Sequence, residues 1–311
     1  MASATRPILI YGAGIQGCRE EALAYAERTG FPVCLTWGAA DLMPHGHPLR
    51  VGTFGTHGVR AANFAIQNAD YVLAIGSRLD TKATGSPVSS FAPKARVVMV
   101  DVDQTEIDKF KILERDVRGI NGEAKEFLTG MLGMGAKRDY TAWLKTINEW
   151  KSRYPIVLPE YRTENVNPYV FVDKLSDYLE PDDVIVSDTG CVLAWMMQAF
   201  KFNGQRFIHA WNNTPMGYGL PAAEGAHYAT GKRVILITGD GGLAVNITEM
   251  ATLARHSLPV KIILFNNRGH AMCRQTQRTW LGGVYPSTSY EGGLATPNYW
   301  EVADAYGIRA T

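Results

Sequence analysis

Val234-Ile235-Leu236-Ile237-Thr238-Gly239-Asp240-Gly241-Gly242, answered further on by Val260-Lys261-Ile262-Ile263-Leu264-Phe265-Asn266-Asn267-Arg268-Gly269, is the part of the chain on which the fold turns. Each half is a short apolar run ending in turn residues, as in a strand covered on both faces of a parallel sheet. The 24 residues between Gly241 and Asn266 are what one helix and one strand occupy, with the helix expected at 245–255. Two neighbouring strands should therefore deliver their turns side by side at one sheet edge. There Asp240 offers a carboxylate, Asn267 a side-chain carbonyl and Gly269 a main-chain carbonyl, oxygen ligands suited to Mg²⁺. In the turn Gly239-Asp240-Gly241-Gly242, Gly241 and Gly242 leave space for phosphate at the free N–H groups of a helix start. Either turn alone is ordinary turn chemistry. The pair, each at a strand end and correctly spaced, points to a shared cation and diphosphate.

The same strand–helix alternation runs outward from this pair. Strands are expected at 7–11, 32–36, 71–75 and 96–100, with helices at 19–29 and 59–68, which makes an α/β domain with a doubly wound parallel sheet. Residues 130–167 turn polar and proline-bearing. The expected organisation is a first domain at 1–135, a linker at 136–167 and a second doubly wound domain at 168–311. In the second, a helix at 169–179 and a strand at 184–187 precede the quoted stretch, and 266–296 reads as a long loop.

At 311 residues the chain has room for about two domains of the usual ~150. Lys+Arg 31 against Asp+Glu 30 gives no global field for nucleic acid or an anionic membrane, so neither is expected as a partner. No apolar run approaches the ~20 residues of a membrane span, and no secretory leader is visible, so the cytoplasm is the expected compartment. Cys18, Cys34, Cys191 and Cys273 form no C-x-x-C pair, which argues for free thiols. His45 and His47 read as loop residues rather than a metal pair.

Gly12-Ala13-Gly14-Ile15-Gln16-Gly17 matches the G-x-G-x-x-G turn of dinucleotide-binding folds. A nicotinamide site also needs an acidic residue at the end of the next strand. That strand ends at Thr36-Trp37, so a tight strand-to-helix turn is the better reading.

With the GDG and Asn-Asn turns in place, the chain resembles the thiamine-diphosphate-dependent enzymes, specifically the acetolactate synthase (acetohydroxyacid synthase) large-subunit group. Met216-Gly217-Tyr218-Gly219-Leu220-Pro221 is similar to the segment whose apolar residue wedges between the two cofactor rings. The resemblance implies that Met216 is the wedge and that the Thr214 carbonyl receives the cofactor's amino group. It also implies that Gly190, Cys191 and His270 flank the diphosphate. The first domain is similar to the group's six-stranded central domain. Its loops at Gly55-Thr56-His57-Gly58, at 76–85 with Gly76, Arg78 and Asp80, and at Asp101 would hold flavin adenine dinucleotide, where one is bound.

The implied activity is decarboxylation of a small 2-keto acid with carboligation, in a homodimer or homotetramer. Decarboxylation without ligation and a noncatalytic nucleotide-binding subunit are the alternatives. Two departures bear on this. Thr189-Gly190-Cys191-Val192 occupies the loop where the group has a Gln-His pair, and Thr276 stands where it has a tryptophan. The pyrimidine-binding domain and its glutamate find no counterpart in the 311 residues, so the chain is expected to be a fragment, inactive alone, with that domain supplied by the rest of the chain or a second subunit.

Overall fold

The computed structural model describes residues 3–112, 117–134, 138–210 and 212–311. They form two compact units, one of residues up to 177 with 197–204, the other of 178–196 with 205–311.

The first unit holds a parallel six-stranded sheet: β1 Pro7–Tyr11, β2 Val33–Leu35, β3 Arg50–Thr53, β4 Tyr71–Ile75, β5 Arg96–Asp101 and β6 Val117–Asn121. The strand order is β3-β2-β1-β4-β5-β6, so the crossovers reverse direction between β1 and β4. Every residue of β1 and β4 is buried, as strands covered by helices on both faces must be. The first helix, Arg19–Thr29, has Glu20 and Glu21 in its first turn and ends at Gly30 with φ 70°, the left-handed cap that glycine adopts without strain.

β3 and β6 escaped the sequence pattern. β3 contains a buried arginine whose Nη1 donates to the Met43 carbonyl at 2.6 Å, and β6 is a largely exposed edge carrying Arg118 and Asn121. The segment 136–167, expected as a linker, holds the helix Thr141–Arg153. Its Trp143 and Ile147 are buried in the first core, and Trp143 Nε1 donates to the Pro7 carbonyl at 3.1 Å. The expected boundary at 135/136 lies outside the described residues.

The G-x-G-x-x-G turn is explained by close approach of two loops. Gly12 N donates to the Ile75 carbonyl at 3.1 Å and Gly14 N to the Gly76 carbonyl at 2.9 Å. A Cβ on Gly12 would lie 2.2 Å from the Gly76 oxygen. These two N–H groups are committed to the end of β4 and the residue after it, only a single 3-10 turn at Ala13–Ile15 follows, and the next α-helix starts at Arg19, so Gly12 and Gly14 offer no free N–H groups at an α-helix start.

The second unit holds a parallel four-stranded sheet of β7 Val184–Ser187, β8 Arg206–His209, β9 Val234–Gly239 and β10 Val260–Phe265, in the order β10-β9-β7-β8. The connection direction reverses between β7 and β9, and Ser187 pairs with Ile237 while Gly239 pairs with Phe265. The loops after β7, β9 and β10 thus open at one end of the sheet, at the crevice where doubly wound sheets bind ligands.

The helix expected at 245–255 begins earlier, at Asp240, and is interrupted. Asp240–Val245 ends at Asn246, whose Nδ2 donates to the Gly217 carbonyl at 2.8 Å, and helix resumes at Met250–His256. Residues 266–296 are not all loop, since Ala271–Trp280 is helical. Among the described residues no helix is long and apolar enough to cross a membrane.

The helix Gly219–Thr230 buries Glu224, whose Oε1 has no hydrogen-bond partner. Burial, then the charge of Glu249, pushes its carboxyl up to about 7. The folded protein therefore holds this proton more tightly than the unfolded chain does, and the group's contribution to stability falls as pH rises from the ordinary carboxylate range through about 7. Glu224→Gln is expected to melt close to wild type at pH ~5 and above it at pH ~8. An unchanged difference in Tm across that range counts against the burial argument.

Candidate functional site

A cavity of about 250 Å³ opens where the loops after β7, β9 and β10 meet. Asp240, Asn267 and Gly269 line it together with Thr189, Gly190, Cys191, Thr214, Met216, Gly239, Gly241, Gly242 and His270. The topology thus gathers every second-unit residue expected at the cofactor from stretches up to 80 positions apart.

Asp240, 2% exposed, starts its helix with one carboxylate oxygen accepting from Gly241 N and the other from Gly269 N, both at 2.9 Å. The second bond ties the GDG turn to the Asn-Asn turn. Arg268, at φ 52°, reverses the chain so that Gly269 N can reach the carboxylate. Each oxygen keeps a lone pair, and Asn267 stands exposed beside them. From behind, the Tyr299 hydroxyl donates to the Asp240 main-chain oxygen at 2.6 Å; burial, then Asp240, pushes that phenol up to about 12.

Among the described residues no three His, Cys, Asp or Glu side chains converge as a metal centre. The donor set here is one carboxylate plus neutral oxygens. It suits a hard cation that brings phosphate and water ligands of its own rather than a thiolate- or imidazole-seeking metal.

Gly241 has the His270 ring and the Met216 methyl over it: a Cβ there would lie 2.5 Å from His270 Nδ1 and 3.0 Å from Met216 Cε. Met216 remains 40% exposed, which fits a side chain that contacts something besides its own core. It sits on a sharp turn between Thr214 at φ 42° and Gly217 at φ 84°. The half-buried Cys191 thiol is pushed up by burial, then by Cys273, and a thiol held protonated is a poor nucleophile. The Arg274 guanidinium lies 5.9 Å over the Tyr285 ring and is not among the residues that line the cavity.

Sequence reasoning missed two residues of this centre, Asp188 and Tyr299. An acid immediately after β7, two residues before Gly190, was the available signal for the first. Gly242, expected to leave space for phosphate, also makes room for Asp188: a Cβ there would stand 2.9 Å from the Asp188 carboxyl carbon.

In the first unit the loops after β2, β3 and β4 converge separately. His57 stacks on Trp37 at 5.6 Å, with Lys82 over the same indole at 5.3 Å, and Gly55 at φ 97° lets the Lys82 carbonyl approach. Asp80 caps the short helix Thr81–Thr84, Arg78 lies 3.7 Å from it, and Gly76 takes φ 60° against Gly14. Asp101 ends β5 and accepts from Asp103 N at 3.0 Å.

Residues 1–131 match the thiamine pyrophosphate enzyme central domain, and residues 188–311 the thiamine pyrophosphate enzyme C-terminal TPP binding domain. The whole chain is 34% identical to a probable acetolactate synthase large subunit of Methanocaldococcus jannaschii, covering 53% of that protein. It is 34% identical to the acetolactate synthase large subunit of Parasynechococcus marenigrum and 30% identical to the isozyme 1 large subunit of Escherichia coli, over 98% of the chain and 49% and 53% of those proteins. The chain spans about half the length of the curated relatives it matches. Two domain matches that leave out mainly the stretch between them, and relatives aligned along nearly the full 311 residues, fix its kinship: the chain belongs to the thiamine pyrophosphate enzyme family, in its acetolactate synthase-like group.

Proposed function

We propose that the second unit holds thiamine diphosphate through Mg²⁺ and that the complete enzyme decarboxylates a small 2-keto acid and joins the remaining fragment to a second one. The carrying observation is Asp240, a buried carboxylate clamped by one N–H from each turn so that its free lone pairs share a cavity with Asn267 and Gly269. When bound, thiamine diphosphate supplies the carbon centre that adds to the keto group and holds the electron pair released with carbon dioxide.

This chain's residues hold and orient. Asp240, Asn267 and the Gly269 carbonyl carry the metal, and the helix start at Gly241 faces the diphosphate. Gly190, Cys191 and His270 wall it in. Met216 supports the rings, with the Thr214 carbonyl as acceptor for the amino group. In this reading 1–135 is the central domain, 136–167 the connection and 168–311 the diphosphate domain. A pyrimidine-binding domain, in the same or a second chain, faces them within a homo-oligomer.

Flavin adenine dinucleotide is proposed for the first unit. Support comes from the reversal of strand order between β1 and β4, beside which the Gly76 loop opens, with Gly55, His57, Arg78 and Asp80 on the loops after β3 and β4 and Asp101 at the end of β5.

One preparation tests both proposals. The full-length enzyme with thiamine diphosphate, Mg²⁺ and pyruvate should release carbon dioxide and form 2-acetolactate, and acid extraction should free flavin near one per chain. Acetaldehyde in place of acetolactate would mark decarboxylation without ligation. No turnover would overturn the enzymatic assignment, and ADP or nothing in the extract the flavin one.

A further inference from the structure

Asp188 is 2% exposed, and no cation lies within ion-pair distance of it among the described residues. One carboxylate oxygen accepts from Thr189 N at 2.7 Å and Gly217 N at 3.2 Å; the other accepts from Gly219 N at 3.0 Å, with Thr238 Oγ1 at 3.5 Å. Two glycines are shaped to it. A Cβ on Gly219 would stand 3.0 Å from its Oδ2, and one on Gly242 2.9 Å from its Cγ. A single buried carboxylate therefore joins the end of β7, the Met216 turn, the start of the helix Gly219–Thr230 and the GDGG helix. The Met216 turn has left-handed backbone at both Thr214 and Gly217. Such a turn persists only where its surroundings over-determine it, and Asp188 with Asn246 supplies that constraint from two sides.

We infer that Asp188 is the positioning residue for Met216, setting how far that side chain reaches over Gly241 and so the shape in which the cofactor is held. The inference rests on the thiamine diphosphate reading above. It separates two tasks within one cavity: Asp240 anchors the diphosphate, and Asp188 shapes the support beneath the rings without touching the metal ligands.

Asp188→Asn keeps the size but turns one acceptor into a donor facing a main-chain N–H. In the full-length enzyme it should lower kcat by about 10²-fold, as small misplacements at reacting centres do. The Kd for thiamine diphosphate with Mg²⁺, measured by calorimetry, should stay within ~3-fold, since the anchor is intact. Added to Met216→Ala, it should lower kcat little further, because it acts through that side chain. In the cofactor-free protein, amide exchange at Gly217 and Gly219 should quicken.

Cofactor affinity lost in step with kcat, fully additive losses with Met216→Ala, or unchanged exchange would each overturn the role. Where Asp188→Asn does not fold, Gly219→Ala crowds the same carboxylate from outside the cavity lining and carries the same readouts. Failure of the wild-type enzyme to bind thiamine diphosphate sinks the functional assignment instead and leaves the exchange experiment to judge Asp188.

Discussion

Asp240→Ala is expected to abolish magnesium-dependent binding of thiamine diphosphate, weakening it well beyond the ~10- to 100-fold typical of losing a residue that only supports a metal ligand. Asp240 is the sole carboxylate among the described residues lining the cavity, so alanine leaves the metal only neutral oxygens there. The substitution also strands Gly241 N and Gly269 N, each now donating at 2.9 Å to a carboxylate oxygen. Leaving such donors unsatisfied costs about 1–3 kcal/mol each, so the Asn-Asn turn should loosen from the GDG turn. Titration calorimetry on the full-length enzyme, with and without Mg²⁺, reads both effects. Asp240→Asn keeps one acceptor and removes the charge, and should retain more of the turn geometry while still losing the metal dependence. Affinity unchanged in Asp240→Ala would remove the site assignment.

Legibility in the sequence followed burial. β1 and β4 are apolar throughout, and β7 and β9 are apolar up to their last one or two residues, because helices cover both faces of a parallel sheet, and those runs stand out from the residues alone. β3 and β8 each begin with arginine, and β6 is a half-solvated edge, so local pattern could not find them.

The metal-type donors were legible because glycine, aspartate and asparagine at strand ends announce themselves. Their mutual arrangement depends on a reversal of strand order between β7 and β9 that no local window contains. Asp188 stayed hidden for a related reason: its partners Gly217 and Gly219 lie about thirty residues away and present only main-chain N–H groups, which leave no mark in side-chain chemistry. The helix start was misplaced for a local reason. Gly241 and Gly242 are poor helix formers, and the first helical turn is fixed instead around Asp240, whose carboxylate accepts from Gly241 N and whose main-chain oxygen accepts from the Tyr299 hydroxyl.

The glycine-rich turn after β1 yields the second large effect, on stability rather than binding. Gly12→Ala is expected to destabilise the first unit by about 3 kcal/mol, toward the upper end for a single core substitution. Gly12 has φ −110°, which any residue adopts, so the argument is purely one of space. An added Cβ would lie 2.2 Å from the Gly76 oxygen and 2.6 Å from the Ser77 Cα, and neither is the end of a side chain that could swing away. Nor can the backbones part easily. Gly12 N is bonded to the Ile75 carbonyl, and β1 and β4 are paired at every residue from Pro7 with Tyr71 to Tyr11 with Ile75. Moving one loop by the ångström required would strain the middle of the sheet. Gly17, the third glycine of the same motif, has nothing within 4 Å of its Cβ position, so Gly17→Ala should change stability by no more than ~0.5 kcal/mol. Thermal unfolding of the two variants beside wild type distinguishes the accounts. If the motif were a pyrophosphate cradle set at a helix start, the first and third glycines would not divide this way. Equal melting temperatures for Gly12→Ala and Gly17→Ala would show that the two loops are not held in this contact.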